Sequence, residues 1–120
     1  MINPMIVEGQ VMGGIAQGFG GAMLERIEYD VDGNPSNANF VDFLMPYATE
    51  IPSVEILHLE TPSPLNPLGV KGVGEAGCIA VGQVIASAVE DALKPLGAGP
   101  FRHVPLTPSM IDAALTRAGA

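Results

Sequence analysis

One carboxylate and one cation sit among four glycines in the stretch LGVKGVGEAG, residues 68–77. Gly69, Gly72, Gly74 and Gly77 surround Lys71 and Glu75. Glycine permits positive φ and lets backbone press close against a ligand. A proline-studded loop, TPSPLNP at 61–67, precedes the stretch, and an uncharged run follows it over 76–89. Glu75 has two readings. At a helix start it complements the positive end of the helix dipole. As a general base it needs burial to raise its pKa and a donor to hold it. The flanking glycines and the apolar run are expected to supply that burial. Lys71 is either a surface cation or the partner of an anionic ligand group.

Other patterns are weaker. Residues 72–77 match GxGxxG formally, but a dinucleotide fingerprint requires a strand directly before it, and prolines stand there instead. Glu75 would also meet the pyrophosphate as a second anion. A P-loop fails, because no Gly-Lys followed by Ser or Thr is present. His58 and His103 are isolated, and His58-Leu59-Glu60 lacks the further ligands of a metal site. They read as surface or core-edge histidines. Cys78 is the only cysteine, so an internal disulfide is excluded. It reads as a small core residue, and the six methionines read as core filler.

The elements that must position Glu75 follow from periodicity. Val7, Val11, Ile15, Phe19 and Met23 recur at i, i+4 and predict a helix over 6–26. The same segment holds Gly9, Gly13, Gly14, Gly18, Gly20 and Gly21. Each interior glycine costs about 1 kcal/mol relative to alanine, so a packed neighbour or a ligand must compensate. Gln10, Gly14, Gln17 and Gly21 share one face and leave both readings open. Strands are expected at 27–31, ending in the turn Asp32-Gly33, at 39–45, stopped by Pro46, and at 54–60. The first two are expected to form a hairpin. A second helix is predicted over 78–93, apolar almost all round and therefore buried. Thr107-Pro108 signals an N-cap with proline at the first helical position, opening a short helix through about Arg117. Two long helices with a small, mostly antiparallel sheet make an α+β fold and one domain over 1–120.

Composition sets bounds. The chain has 120 residues, with 48% hydrophobic and 15% charged, which suits a packed core. Net charge is −8 with five Lys and Arg, which excludes a phosphate-tracking nucleic-acid binder. The uncharged run over 76–89 is shorter than a bilayer span, so no membrane insertion is expected. The opening residues MINPMIVEG carry no basic signal-like region, which places the chain in the cytoplasm.

INPMIVEGQVMGGIAQGFGGAMLE, the DGNP turn, TPSPLNPLGVKGVGEAG and PLTPSMI together resemble the C-terminal part of a molybdenum-binding large subunit. The family is that of aerobic carbon monoxide dehydrogenases, xanthine dehydrogenases and aldehyde oxidoreductases, the molybdenum hydroxylases. The resemblance runs from Ile2 to Leu115. It implies that Glu75 lies beside molybdenum without ligating it and acts as the catalytic base. It implies that Gln10 reaches the pterin, and that Lys71, Gly72, Val73 and Gly74 line the cofactor through their backbone. The implied cofactor is molybdopterin cytosine dinucleotide with molybdenum, carried by the complete subunit and not by the isolated chain. The implied partners are the remainder of the large subunit and the iron–sulfur and flavin subunits or domains. Family large subunits are several times longer, so the chain is expected to be a fragment, inactive alone. The cysteine loop that carries copper in carbon monoxide dehydrogenases would lie upstream of these residues. In relatives the second helix often begins with prolines, where this chain has CIAVG. Helix faces left bare predict a homo-oligomer of the isolated chain. The alternative function is a non-catalytic interaction module whose glycine-rich faces pack on another copy or subunit.

Overall fold

The computed structural model describes residues 1–119. Helix α1 spans Pro4–Met23. Asn3 caps it, its Oδ1 accepting the Ile6 N–H at 3.2 Å, and Pro4 takes the first position with its φ already helical. Its interior glycines leave few side chains to form a broad apolar stripe, and Gly14, Gly20 and Ala22 are its only buried residues. Helix α2 spans Val81–Leu93 and continues into a single 3₁₀ turn, Lys94–Leu96. Gly97 ends that turn at φ 73°, a left-handed value that favours glycine. Helix α3 spans Pro108–Ala118 with Thr107 as its cap, as the sequence predicts.

The second helix begins at Val81 rather than at Cys78. No side chain caps it, because Ala80 occupies the capping position. Residues 74–80 form turns instead. Nor is α2 buried in this chain. Val81, Ile85 and Val89 are half-buried at i, i+4, i+8, while Val84 is 59% exposed.

The small sheet is not formed. The only pairing among the described residues is an isolated bridge between Tyr29 and Pro35. The hairpin expected between 27–31 and 39–45 closes earlier. Asp30 N–H donates to the Asn34 carbonyl and Ser36 N–H to the Glu28 carbonyl. Gly33 turns the chain at φ 84°, and Asp30 Oδ1 accepts the N–H of both Asp32 and Asn34 at 2.9 Å. Segment 39–45 folds into turns because Asn39 Oδ1 captures the N–H groups of Val41 and Asp42. Segment 54–60 has the alternation of a strand but no ladder partner, and a strand is defined by its partner's hydrogen bonds.

The core is small and lies where α1 ends. Among the described residues Ala22, Ala98, Leu106 and Ala114 are its buried apolar members, and Leu106 is the one large side chain fully buried. Its N–H donates to the Ala22 carbonyl at 2.6 Å, fastening the approach to α3 onto the last turn of α1. The chain leaves much of its surface open. Its radius of gyration is 18.2 Å, where a closed domain of this length has about 14 Å. It exposes 8776 Å², roughly 2,600 Å² more than a folded monomer of this mass.

Candidate functional site

The site assembles where α1 meets the glycine loop. Gln10 Nε2 donates to the Gly74 carbonyl at 3.3 Å. One turn along α1, Gly14 lies against Gly77, and a Cβ on Gly14 would stand 2.9 Å from the Gly77 Cα. From the other side, a Cβ on Gly77 would stand 2.9 Å from the carbonyl carbon of Val11 and 3.0 Å from its Cα. A further turn along, a Cβ on Gly18 would stand 2.6 Å from the Cβ of Val81. The pairs Gln10–Gly74, Gly14–Gly77 and Gly18–Val81 advance together, so α1 and residues 74–81 run in the same direction.

The small-residue face of α1 therefore divides. Gly14 and Gly18 are spent on close packing, whereas Gly9, Gly13 and Gly21 meet nothing within 4 Å in this chain. Gln17 faces outward with them and does not join Gln10 at the loop.

Glu75 lies between the two pinned points. The turn around it is closed by Ala76 N–H to the Val73 carbonyl at 3.2 Å and Cys78 N–H to the Glu75 carbonyl at 3.1 Å. The Cys78 thiol also points at that carbonyl, at 3.3 Å. The Glu75 residue itself is exposed. This overturns the expectation that the glycines and the second helix bury it. Glycine supplies no side chain to cover a neighbour, and α2 starts only six residues later, at Val81. Lys71 is exposed as well, and its ammonium donates to Thr61 Oγ1 across the base of the proline loop. Asn66 closes that loop with two bonds, its side chain donating to the Val70 carbonyl and accepting the Val70 N–H.

The loop has a free row of donors. From Lys71 through Glu75 no backbone N–H donates to an acceptor among the described residues. Beside Gly72 there is open space, and beside Gly74 only the Gln10 amide at 4.0 Å. Gly72 and Gly74 leave open backbone there, and the five adjacent N–H groups are free to donate to a polar group that approaches the loop. Two carboxylates elsewhere sit below the ordinary range. The Asn34 backbone N–H, chief among several bonds, lowers Asp30. The terminal amine of Met1 lowers Glu60. His58 Nε2 stands 3.9 Å from Glu8.

The structure joins Gln10 to Gly74, the residue directly before Glu75. The motif alone does not specify the Gly14–Gly77 contact. The available signal was the i, i+4 step of Gly14 and Gly18, matched by the step from Gly77 to Val81.

Comparison with known proteins defines the class. Residues 1–52, which include α1 and Gln10 but stop short of Glu75, match the molybdopterin cofactor-binding domain. The large subunit of nicotine 6-hydroxylase from Paenarthrobacter nicotinovorans is 43% identical over 114 residues, 95% of this chain and 14% of that protein. The carbon monoxide dehydrogenase large chain of Afipia carboxidovorans is 47% identical over 98 residues, 82% of this chain and 12% of that protein. The crystal structure of quinoline 2-oxidoreductase from Pseudomonas putida 86 superposes with a TM-score of 0.89 at 45% identity. That match covers 97% of this chain and 15% of the solved chain, so it includes the Glu75 loop. The chain belongs to the molybdopterin cofactor-binding family of molybdenum hydroxylase large subunits. It spans about one seventh of the length of the relatives it matches.

Proposed function

We propose that this chain forms part of the cofactor cradle of a molybdenum hydroxylase large subunit and supplies its catalytic base. The observation that carries the reading is the row of unspent N–H groups over 71–75, ending on a carboxylate and clasped to α1. Lys71, Gly72, Val73 and Gly74 bind the cofactor through backbone. Gln10, whose amide already holds the Gly74 carbonyl, keeps its side-chain oxygen for the pterin edge. The bound cofactor, proposed to be the cytosine dinucleotide form, supplies two-electron oxidation chemistry. Glu75 would act as the proton acceptor of the site, its carboxylate oxygen holding a proton given up by a group at the cofactor. Its exposure in this chain leaves the carboxylate accessible to a reacting group, and the excess surface supports cover by the rest of a large subunit. The remaining partners are then iron–sulfur and flavin subunits or domains, in the cytoplasm. Without them the chain is inactive and pairs with itself.

A graft tests the reading. The matching segment of the quinoline 2-oxidoreductase large chain is replaced by this chain, and molybdenum content and quinoline turnover are measured. The graft retains molybdenum and turnover. Glu75→Gln keeps volume and molybdenum but lowers kcat by at least the 10²–10⁴-fold typical of a lost general base. Gln10→Ala lowers molybdenum content more than it lowers rate per bound metal. A Glu75→Gln graft that loses molybdenum yet keeps full rate per remaining metal makes Glu75 structural and refutes its assignment.

A further inference from the structure

We propose that Gly77 and Gly14 are positioning residues for Glu75, their backbone contact setting where the carboxylate stands along α1. The inference rests on Glu75 being the base of the proposed function. Gly77 is the one buried residue between 71 and 80, although its neighbours Glu75 and Ala76 are exposed. It follows Glu75 by two residues, within the turn that Cys78 N–H closes on the Glu75 carbonyl. Both partners in the contact are main chain. The space a Gly77 Cβ would take is held by the Val11 carbonyl group, and that of a Gly14 Cβ by the Gly77 Cα and the Cys78 nitrogen. No rotamer change relieves either. Comfortable carbon–carbon separation is about 3.5–4.0 Å, so one added methyl forces the turn off α1 by a substantial part of an ångström. On the other side of Glu75 the Gln10 amide holds Gly74. A turn pinned at 74 and pushed at 77 must swing the residue between them.

Gly18 is the internal contrast. Its Cβ would meet the side chain of Val81, six residues beyond Glu75 and in α2. Alanine there strains the same packing seam without pushing on the turn that carries Glu75.

The three variants are compared in the molybdenum-loaded graft, reading kcat per bound molybdenum, KM, thermal midpoint and hydrogen exchange over 74–80. Gly77→Ala lowers kcat about 10- to 100-fold, the scale for a misplacement near 1 Å. Its KM stays within a few-fold, its molybdenum content stays near wild type, and exchange rises at 76–78. Gly14→Ala, whose added carbon gains helix propensity, lowers kcat by a smaller factor. Gly18→Ala lowers the thermal midpoint and leaves kcat unchanged. The proposal is overturned by wild-type kcat in Gly77→Ala, or by kcat losses that follow thermal losses through all three variants. Should Gly77→Ala not assemble, the kcat-against-KM split of Gly14→Ala decides alone. An unsubstituted graft that takes up no molybdenum overturns the proposed function itself, and the purpose of the contact with it.

Discussion

Leu106→Ala should release the C-terminal helix while leaving the Glu75 loop in place. Among the described residues Leu106 is the only large side chain fully buried, and the other buried apolar residues are the alanines Ala22, Ala98 and Ala114. Alanines cannot lean in to fill a lost isobutyl group, so the cavity persists. The cost of such a deletion is about 2–5 kcal/mol, larger where the site cannot collapse. An unfolding entropy near 2.1 cal/mol/K per residue converts this to a fall in Tm of roughly 8–20 °C for a chain of this length. The backbone bond from residue 106 to the Ala22 carbonyl does not need the side chain and survives. Loss of protection should therefore concentrate in α3, whose Ala114 leans on this core, and spare Gln10 through Gly18. Thermal melting of the chain gives the magnitude, and hydrogen exchange by mass spectrometry gives the location. A Tm change below about 2 °C would place the core elsewhere. Equal loss of protection in the first half of α1 would show that the two halves are not separable in the way described.

Two further outcomes are expected. The isolated chain associates at tens of micromolar, because its roughly 2,600 Å² of excess surface lies in the range of permanent interfaces; a clean monomer in sedimentation velocity contradicts this. The Asp30 turn holds against acid. Its carboxyl is lowered by the Asn34 and Asp32 N–H groups, so its contribution is full above the unfolded carboxylate pKa. That contribution is lost only as pH falls through the lower folded value. NMR chemical shifts of the Asp32 and Asn34 amides should move below the ordinary carboxylate range, and movement centred at or above it refutes the assignment.

The helices were legible to different degrees. Thr107-Pro108 announces the start of α3 locally, whereas α1 was read from periodicity alone as 6–26, and the Asn3 cap with Pro4 sets its start earlier, at Pro4. The sheet was misread for a physical reason. Alternation at 54–60 states which side chains could share a face, but pairing needs a second backbone, and none among the described residues is offered. The hairpin failed because Asp30 and Asn39 draw nearby N–H groups to their side chains before a longer register can form. At the site, the type of residue was legible and its burial was not. GVGEAG announces a carboxylate on a bare loop, yet cover must come from distant side chains that a local pattern does not specify. The resemblance carried molybdenum; the glycine periodicity carried only the demand for a close neighbour, which turned out to be Gly77.

The Gln10–Gly74 bond joins residues 64 apart in sequence, and this orders events during synthesis. Helix α1 leaves the ribosome before the glycine loop, with Gly14 bare. The carboxylate takes its station only after the intervening chain has emerged and doubled back, so a partly made polypeptide holds no placed base. Once both ends are fastened, the span between them is a closed loop whose entropy depends only logarithmically on its length. Doubling that length costs about 0.6 kcal/mol. Insertions between α1 and the proline loop can accumulate there without moving Glu75.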